Sequence, residues 1–429
     1  MAEQFRYDLI PEGSAVLCAL SGGADSVYLL CRLLEGGYTV YAAHYNHHLR
    51  PTAQRDEAFV RGWCESHQIP LVAEGGDVAA YADEMGMGIE EAARELRYDF
   101  LQRAAGECGC HLIATGHHAG DNAETVLMNL VRGCGLNGLC GIPERRGNIV
   151  RPMLGVTREE IQTYLTEHAI PYVEDETNND LTYTRNRIRH QLIPLLEELN
   201  SEAVAHITAA AKRAGEDERE LQRQAELLLE CCTETEGGIS VPIAVLVSAP
   251  RAVALRAVKQ LVPAAQAVHL EGILALCHGT DPSAELDIPG GCVRRVYDDL
   301  LFGAESAAFP QPMPIREGTQ NWGGWEIICT PAVCPMKAYV DRSRFYLRCG
   351  AYTVRSRKEG DELRLGKRPL KSLKKLMVEE KVPRYLRHTV PVLENENGAA
   401  AAVGGFGPHL EALAQPGTQC LYIIIRKGE

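Results

Sequence analysis

Two serines, two glycines and one carboxylate stand together in the string SGGADS, Ser21 to Ser26. These residue types suit the binding of phosphate. Gly22 and Gly23 allow positive φ and close backbone approach. Ser21 and Ser26 carry hydroxyls that can donate to phosphate oxygens, and Ala24 completes the loop. Asp25 can hold Mg2+ rather than the phosphate itself. The Walker pattern GxxxxGK[ST] is absent, and no lysine follows the loop to reach a terminal phosphate. The plain alternative is a polar turn in which Asp25 or Ser26 caps a helix. The whole string, set directly after the apolar run Val16 to Leu20, favours a nucleotide site.

A second group lies in ATGHHAGDNAETVLMNL. Asp121 and Glu124 are one helical turn apart, so both carboxylates share a face. A helix start favours acids near its dipole, which accounts for one of them. Two beside His117 suggest a pocket for a cationic substrate, or a second metal contact. Arg94 and Arg97 share a helix face by the same spacing, where exposed salt bridges are the usual explanation. Arg185, Arg187 and Arg189 crowd TRNRIR, a polar stretch entering a helix and suited to phosphate contact.

Two further patterns are weaker. GCGLNG, Gly133 to Gly138, satisfies GxGxxG but follows a helix instead of a strand, so a helix-ending glycine turn explains it better. His44, His47, His48, His117 and His118 could bind zinc. Each cluster follows a predicted strand on the loop's own sheet edge, which favours nucleotide-site residues.

The elements that must position these groups follow from apolar periodicity. Strand-like runs fall at Val16–Leu20, Thr39–His44, Leu71–Glu74, Leu112–Thr115 and Ile149–Pro152. Helical patterns fall at Ser26–Leu34, Ala53–His67, Ile89–Ala105, Asn122–Val131 and Arg158–His168. Such alternation predicts an α/β domain, a doubly wound parallel sheet whose site lies at the strand C-termini. That domain is expected over 1–195, followed by a helical and mixed middle domain over 196–301. A Pro/Gly-rich linker is expected over 302–324, and a small α+β domain with one basic helix near Ser372–Lys381 over 325–429.

Composition bounds the setting. The chain has 429 residues and a net charge of −13, yet Asp341 to His388 holds 15 Lys plus Arg against 6 Asp plus Glu. Lys371, Lys374 and Lys375 lie in this basic segment, which suits RNA phosphate as well as it suits a solvated face. No apolar run reaches membrane-spanning length, and MAEQFRYDLIPEG is too polar for a secretory signal, so no membrane partner is expected. Fifteen cysteines without a CxxC pair suggest reduced thiols and a cytoplasmic protein. Oligomeric state stays open, a homodimer included.

SGGADS resembles the signature of the PP-loop ATP pyrophosphatases. AAHYNHHLR, EEAARELRYDFL, GHHAGDNAETVLMNLVRGCGLNGL, RPML and DETNNDLTYTRNRIRHQLIPLL then occur in the order seen in the tRNA(Ile)-lysidine synthetase family. The likeness runs almost continuously from residue 14 to about 200, and the basic tail resembles that family's tRNA-binding domain more loosely. The resemblance implies ATP and Mg2+ as cofactors, with free L-lysine and a CAU-anticodon tRNA(Ile) as partners. It implies adenylation of the wobble cytidine and replacement of AMP by lysine. On this reading Ser21 to Ser26 hold ATP and Asp25 holds Mg2+. Arg94, Arg97 and His117 act in catalysis, and Asp121 and Glu124 recognise lysine. Arg185, Arg187, Arg189, Lys371, Lys374 and Lys375 meet tRNA phosphate. A PP-loop tRNA thiolase and a non-catalytic ATP-sensing RNA-binding protein are the alternatives. The first usually relies on CxxC cysteines, and the second has no need of His117, Asp121 and Glu124 together. A glutamine-fed amide synthetase ranks last, since no catalytic Cys follows Met1.

Overall fold

The computed structural model describes residues 5–48, 53–174, 184–235, 237–303, 309–338, 340–366 and 368–428. It divides into two compact units, Met1–Glu220 and Leu221–Glu429. No helix among the described residues is long and apolar enough to cross a membrane.

The first unit is the expected α/β domain. Strands β1 (Ala15–Ala19), β2 (Thr39–Asn46), β3 (Leu71–Gly75), β4 (Leu112–Ala114), β5 (Arg145–Arg146) and β6 (Ile149–Val150) form one sheet in the order β3-β2-β1-β4-β6-β5. Only β5 runs antiparallel, as a hairpin with β6. Register pairs Val16 with Val40 and Leu17 with Ile113. Side chains alternate faces along a strand. Val16 and Cys18 accordingly pack with Leu29, Leu30 and Leu33 of α1 (Ala24–Glu35) and with Ile161 and Leu165 of a later helix, Arg158–Glu167. Leu17 turns the other way, onto Phe100 and Leu101 of the long helix Ile89–Glu107. Helices on both faces bury the sheet, and strand order reverses between β1 and β4. Ligand crevices form at such a switch point.

Between α1 and the switch point lie α2 (Ala53–Ser66), α3 (Val78–Met85) and the long helix, α4. The eight-residue α3 was not expected from periodicity, which such a short segment barely displays. Local chemistry defines it: Asp77 accepts from the Ala80 amide at 3.0 Å, and Gly86 closes it at φ +65°. After β4 come α5 (Ala119–Val131), the short α6 (Leu136–Leu139) and α7 (Arg158–Glu167). Gly133, at φ +80°, ends α5 as a helix-stop glycine, the reading favoured for GCGLNG. The stretch after Leu192 is helical with no strand break, as its pattern suggests, and consists of two helices, Ile193–Leu199 and Ala203–Leu229. Asn200 is extended and its Oδ1 accepts from the Glu202 amide at 3.0 Å, which restarts the chain.

The second unit holds more sheet than the sequence pattern suggested. Strands β7 (Thr233–Thr235), β8 (Gly238–Pro242), β9 (Glu285–Ile288), β10 (Gly291–Val296) and β11 (Asp299–Gly303) form an antiparallel sheet in the order β7-β8-β11-β10-β9. Three helices, Ile243–Ser248, Arg251–Leu261 and Ala267–His278, share its core of Val241, Val258, Ile273, Val293 and Leu300. The C-terminal part is mainly antiparallel strands with one short helix, Leu373–Glu379, on its basic segment.

The expected linker over 302–324 is corrected here. Residues 304–308 lie outside the described residues, but Met313–Pro314 and Gly318–Trp322 are strands, the second paired with Trp325–Val333. Trp322 is 4% exposed, packs with Ile327, Phe345 and Ile425, and donates its indole N–H to the Gln311 carbonyl at 2.7 Å. Pro and Gly here shape turns between strands, a composition that linkers share. Trp322→Ala should therefore lower the stability of the second unit by about 3–5 kcal/mol, read from its denaturant midpoint. An unchanged midpoint would return the segment to linker status.

Candidate active site at the β1–β4 crevice

The loop after β1 is wired by its own serine. Ser26 Oγ accepts from the Ser21 amide at 3.1 Å and the Gly22 amide at 3.2 Å, and donates to the Gly23 carbonyl at 3.0 Å. Ser26 is 7% exposed, so its hydroxyl shapes the loop from beneath, while Ser21 is exposed. Gly22 sits at φ +92°, where a side chain is strained. Ala24 opens α1 with Asp25 in its first turn, so the helix dipole faces any anion in the loop.

The loop after β4 comes close to it. A Cβ on Gly116 would lie 3.1 Å from the Asp25 carbonyl oxygen and 3.3 Å from the Ser26 nitrogen. Glycine at 116 lets two backbones meet, which brings His118 to Asp25. The His118 Nδ1 accepts from the Gly120 amide at 3.0 Å, which puts the ring proton on Nε2. That Nε2 lies 3.8 Å from Asp25 Oδ2 and 3.7 Å from Asp121 Oδ2. Asp121 in turn accepts from the His118 amide at 3.1 Å, completing a reciprocal helix cap. The sequence pattern favours His118 as a nucleotide-site residue over a zinc ligand but assigns it no role of its own. The signal for its role was an N-cap position three residues before an acid.

Asp121 and Glu124 share one face of α5, as their spacing requires, and both are already occupied. Arg185 donates to Glu124 Oε2 at 2.7 Å and to Asp121 Oδ1 at 3.2 Å. Arg189 donates to Glu124 Oε1 at 2.5 Å and to Asp121 Oδ1 at 3.2 Å. Glu124 is only 2% exposed. The two arginines stand four apart across the end of a short helix, Thr184–Arg187, and a π-helical turn, Ile188–Leu192. Arg187 is exposed and forms no ion pair among the described residues. Two of the three candidate arginines therefore reach the site, by way of the acid pair.

His117 faces Thr115, with Nδ1 3.0 Å from the hydroxyl. Burial, together with Arg151, Arg97 and Arg185, depresses it to about 3 against the pull of Asp121, so it is neutral at pH 7. Arg94 and Arg97 flank Tyr98, their guanidinium carbons 5.0 and 5.4 Å from its ring centroid. Burial raises the Asp25 carboxyl, and Asp121 adds to this against His118, Arg158 and Arg189. A carboxylate held protonation-prone at a phosphate loop fits a divalent cation, whose charge reverses that bias. Asp25 would supply one ligand to such a cation, with phosphate oxygens and water completing the shell. Among the described residues no group of three or more His, Cys, Asp or Glu is placed to hold a metal by itself.

Beside the loop a cavity of about 160 Å3 is lined by Ser21, Gly23, His44, Asn46, His48 and Val173, among others. His44 Nδ1 lies 2.9 Å from the Leu20 carbonyl, and His48 adopts φ +52° with its amide on Asn46 Oδ1 at 3.0 Å. Asn46 and Val173 were not anticipated. The Val173 amide reaches the Gly22 carbonyl at 2.9 Å, a contact between segments remote in sequence.

Residues 2–196 match the model of a PP-loop domain, and residues 352–425 match the TilS substrate C-terminal domain. A tRNA(Ile)-lysidine synthase of Geobacter sulfurreducens is 33% identical over 413 residues, covering 90% of this chain and 88% of the relative. One from Geobacillus kaustophilus is 31% identical over 98% of this chain and 97% of the relative. One from Porphyromonas gingivalis is 49% identical over 195 residues, 45% of this chain and 43% of the relative. The chain belongs to the tRNA(Ile)-lysidine synthase family. Of the segments that carried the lysidine synthetase resemblance, 49–50 and 175–183 lie outside the described residues. Lys371 pairs with Glu379 at 2.8 Å, while Lys374 and Lys375 are exposed without ion pairs among the described residues.

A pH measurement tests the acid pair. Burial pushes the Asp121 carboxyl up, but His118, Arg185, His117 and the His118 amide outweigh it and hold it below 3.8. A depressed native value contributes stability that is complete above the unfolded value and lost as pH falls through the native one. Wild type should lose more stability than Asp121→Asn between about pH 6 and about pH 3. Equal losses would mean that the carboxylate is not stabilised by this cluster.

Proposed function

We propose that this chain is an ATP-dependent ligase that joins free L-lysine to C2 of the wobble cytidine in a CAU-anticodon tRNA(Ile), releasing AMP and pyrophosphate. The observation that carries this reading is a buried acid pair, already stabilising two cations, set beside a phosphate-type loop in a chain of this family.

In the first step the cytosine O2 bonds to the α-phosphorus of ATP, and the bond to pyrophosphate breaks. The loop from Ser21 to Ser26 supports the phosphates with backbone N–H groups and the start of α1. Asp25 would hold Mg2+, which would neutralise charge on the departing pyrophosphate. Arg94 and Arg97 offset negative charge on the adenylate and the RNA. In the second step the ε-amine of lysine bonds to C2 and AMP leaves with the bonding electrons of the C–O bond. The amine must first lose a proton. His117 is neutral and beside Asp121, so it has a free lone pair to receive one.

Asp121 and Glu124 recognise the lysine ammonium. Guanidinium groups stand there now, so lysine entry requires Arg185 or Arg189 to yield a carboxylate oxygen, and the arginine that yields becomes available to RNA phosphate. Lys374 and Lys375 contribute phosphate contacts farther along the chain. A thiolase would need cysteines at the crevice, whereas Cys18 of β1 and Cys31 of α1 are packed in the hydrophobic core. Free thiols throughout the described residues suit a reducing cytoplasm.

The deciding assay offers purified protein ATP, bacterial tRNA and either labelled lysine or labelled cysteine. Lysine label in tRNA with AMP release is expected, and sulfur transfer without lysine would overturn the reading. Glu124→Gln should raise the lysine requirement about tenfold or more, since charge-assisted contacts of this kind are worth about 1.5–3 kcal/mol. Its ATP affinity should stay at the wild-type value, and an equal loss for both ligands would move Glu124 to the nucleotide. Asp25→Ala should abolish pyrophosphate release without unfolding the chain.

A further inference from the structure

Three arginines near Tyr98 lack what Arg185 and Arg189 have. Arg151 follows β6 at the C-terminal edge of the sheet and is 2% exposed. Its Nη1 donates to the Pro143 carbonyl at 2.7 Å, but its buried Nε has no partner. The Tyr98 hydroxyl is likewise buried; its neighbours Arg97 and Arg151 can only donate to it, so its own proton has no acceptor. Arg94 and Arg97 stand against the ring of the same tyrosine. None of Arg94, Arg97 and Arg151 forms an ion pair among the described residues. Glu91, one helical turn from Arg94, is exposed and does not pair with it.

Buried donors are normally satisfied, and clustered like charges repel. Burial pushes the Tyr98 phenol up, yet Arg94, Arg97 and Arg151 outweigh it and hold it below the usual phenol range. Burial, Arg94 and Arg185 also press the Arg97 guanidinium down. Three guanidiniums thus crowd one phenol, and no carboxylate among the described residues forms an ion pair with them. A cavity of about 560 Å3 opens beside it, lined by Arg94, Tyr98, Arg146 and Arg151 with the exposed acids Glu91, Glu95 and Asp99. No residue of the Ser21–Ser26 loop lines that cavity.

We propose that Arg94, Tyr98 and Arg151, which line this cavity, form an oxyanion subsite for a backbone phosphodiester of the RNA, distinct from the loop that takes the phosphates of ATP. The donors come from α4 and from the segment after β6, so they converge from two directions. That suits a tetrahedral phosphate, and the flat carboxylates within reach have not been taken. Arg151 and Tyr98 gain the acceptors they lack. A bound phosphodiester also offsets Arg151 and Arg97, two of the groups that hold His117 neutral. With Arg185 opposing and Asp121 assisting, the imidazole becomes a better proton acceptor once RNA is in place.

This subsite rests on the tRNA reading, and its test is one of binding. The full chain is titrated with a synthetic RNA hairpin carrying a CAU loop, and separately with ATP, over a range of salt. Arg151→Gln should weaken hairpin binding about tenfold and lower the log–log salt slope by about 0.7. Tyr98→Phe keeps the shape and removes only the hydroxyl. It should weaken the hairpin a few-fold at an unchanged slope, and it decides the matter if Arg151→Gln fails to fold. ATP affinity should be unaltered in both. Hairpin affinity and slope equal to wild type in the folded variants would overturn the subsite. So would a loss confined to ATP, which would give these residues to the nucleotide. Lysine incorporation by wild type is measured apart: its failure would sink the proposed activity while the salt slopes still decide the subsite.

Discussion

Burying a carboxylate with 2% of its surface exposed is costly unless cations are brought to it, and Glu124 imposes that condition on the crevice. Its partners come from more than sixty residues away, on the short helix Thr184–Arg187 and the π-turn Ile188–Leu192. Asp121 shares both guanidiniums, caps its own helix through the His118 amide, and faces the same imidazole as Asp25. One chain of charges thus joins the loop after β1, the start of α5 and the Arg185–Arg189 segment. Removing one member of such a buried set leaves an uncompensated charge, which costs about 3–5 kcal/mol. The backbone approach at Gly116 is what makes the chain continuous, because a side chain there would separate Asp25 from His118.

The arginines of this unit are sorted by a simple electrostatic rule. Those that meet carboxylates are paired, and in the free protein they hold structure together. Those that crowd around Tyr98 without a carboxylate keep a positive field over His117. A field of that kind is costly in the absence of a ligand and becomes favourable when an anion enters. Preorganised charge works in this manner, since the cost is met on folding and not during the reaction. Burial lowers the proton affinity of the His117 imidazole most; Asp121 pulls it up, and Arg151, Arg97 and Arg185 pull it further down.

Much of the first unit was legible because its signals are local. Apolar runs of strand length alternating with helical periodicity gave the sheet, and SGGADS after β1 marked the crevice. The spacing of Asp121 and Glu124 placed both on one face. What could not be read were relations between distant segments. Nothing in TRNRIR says that its first and last arginines, rather than RNA, satisfy an acid pair on α5. The Arg151 environment is equally silent in RPML, since it depends on α4 packing beside β6. In the second unit, Pro and Gly between strands imitate a linker, and only the burial of Trp322 distinguishes the two.

The basic excess of the C-terminal segment needs the same distinction between sum and arrangement. Fifteen Lys plus Arg against six acids suggests a strongly positive face. Several of those cations are committed to folding. Arg355 is almost fully buried between Asp361 and Glu394, Lys358 joins Glu394, Arg342 pairs with Glu380, and Lys371 with Glu379. Glu394 lies beyond the basic segment, so acids from the neighbouring strand already draw on its charge. Counterion release counts only phosphates met by accessible cations. Lys374 and Lys375, exposed on the short helix and free of ion pairs among the described residues, belong to that smaller set. Which cations are left over after the fold has used its share sets the affinity for phosphate, and the net charge of the segment overstates it.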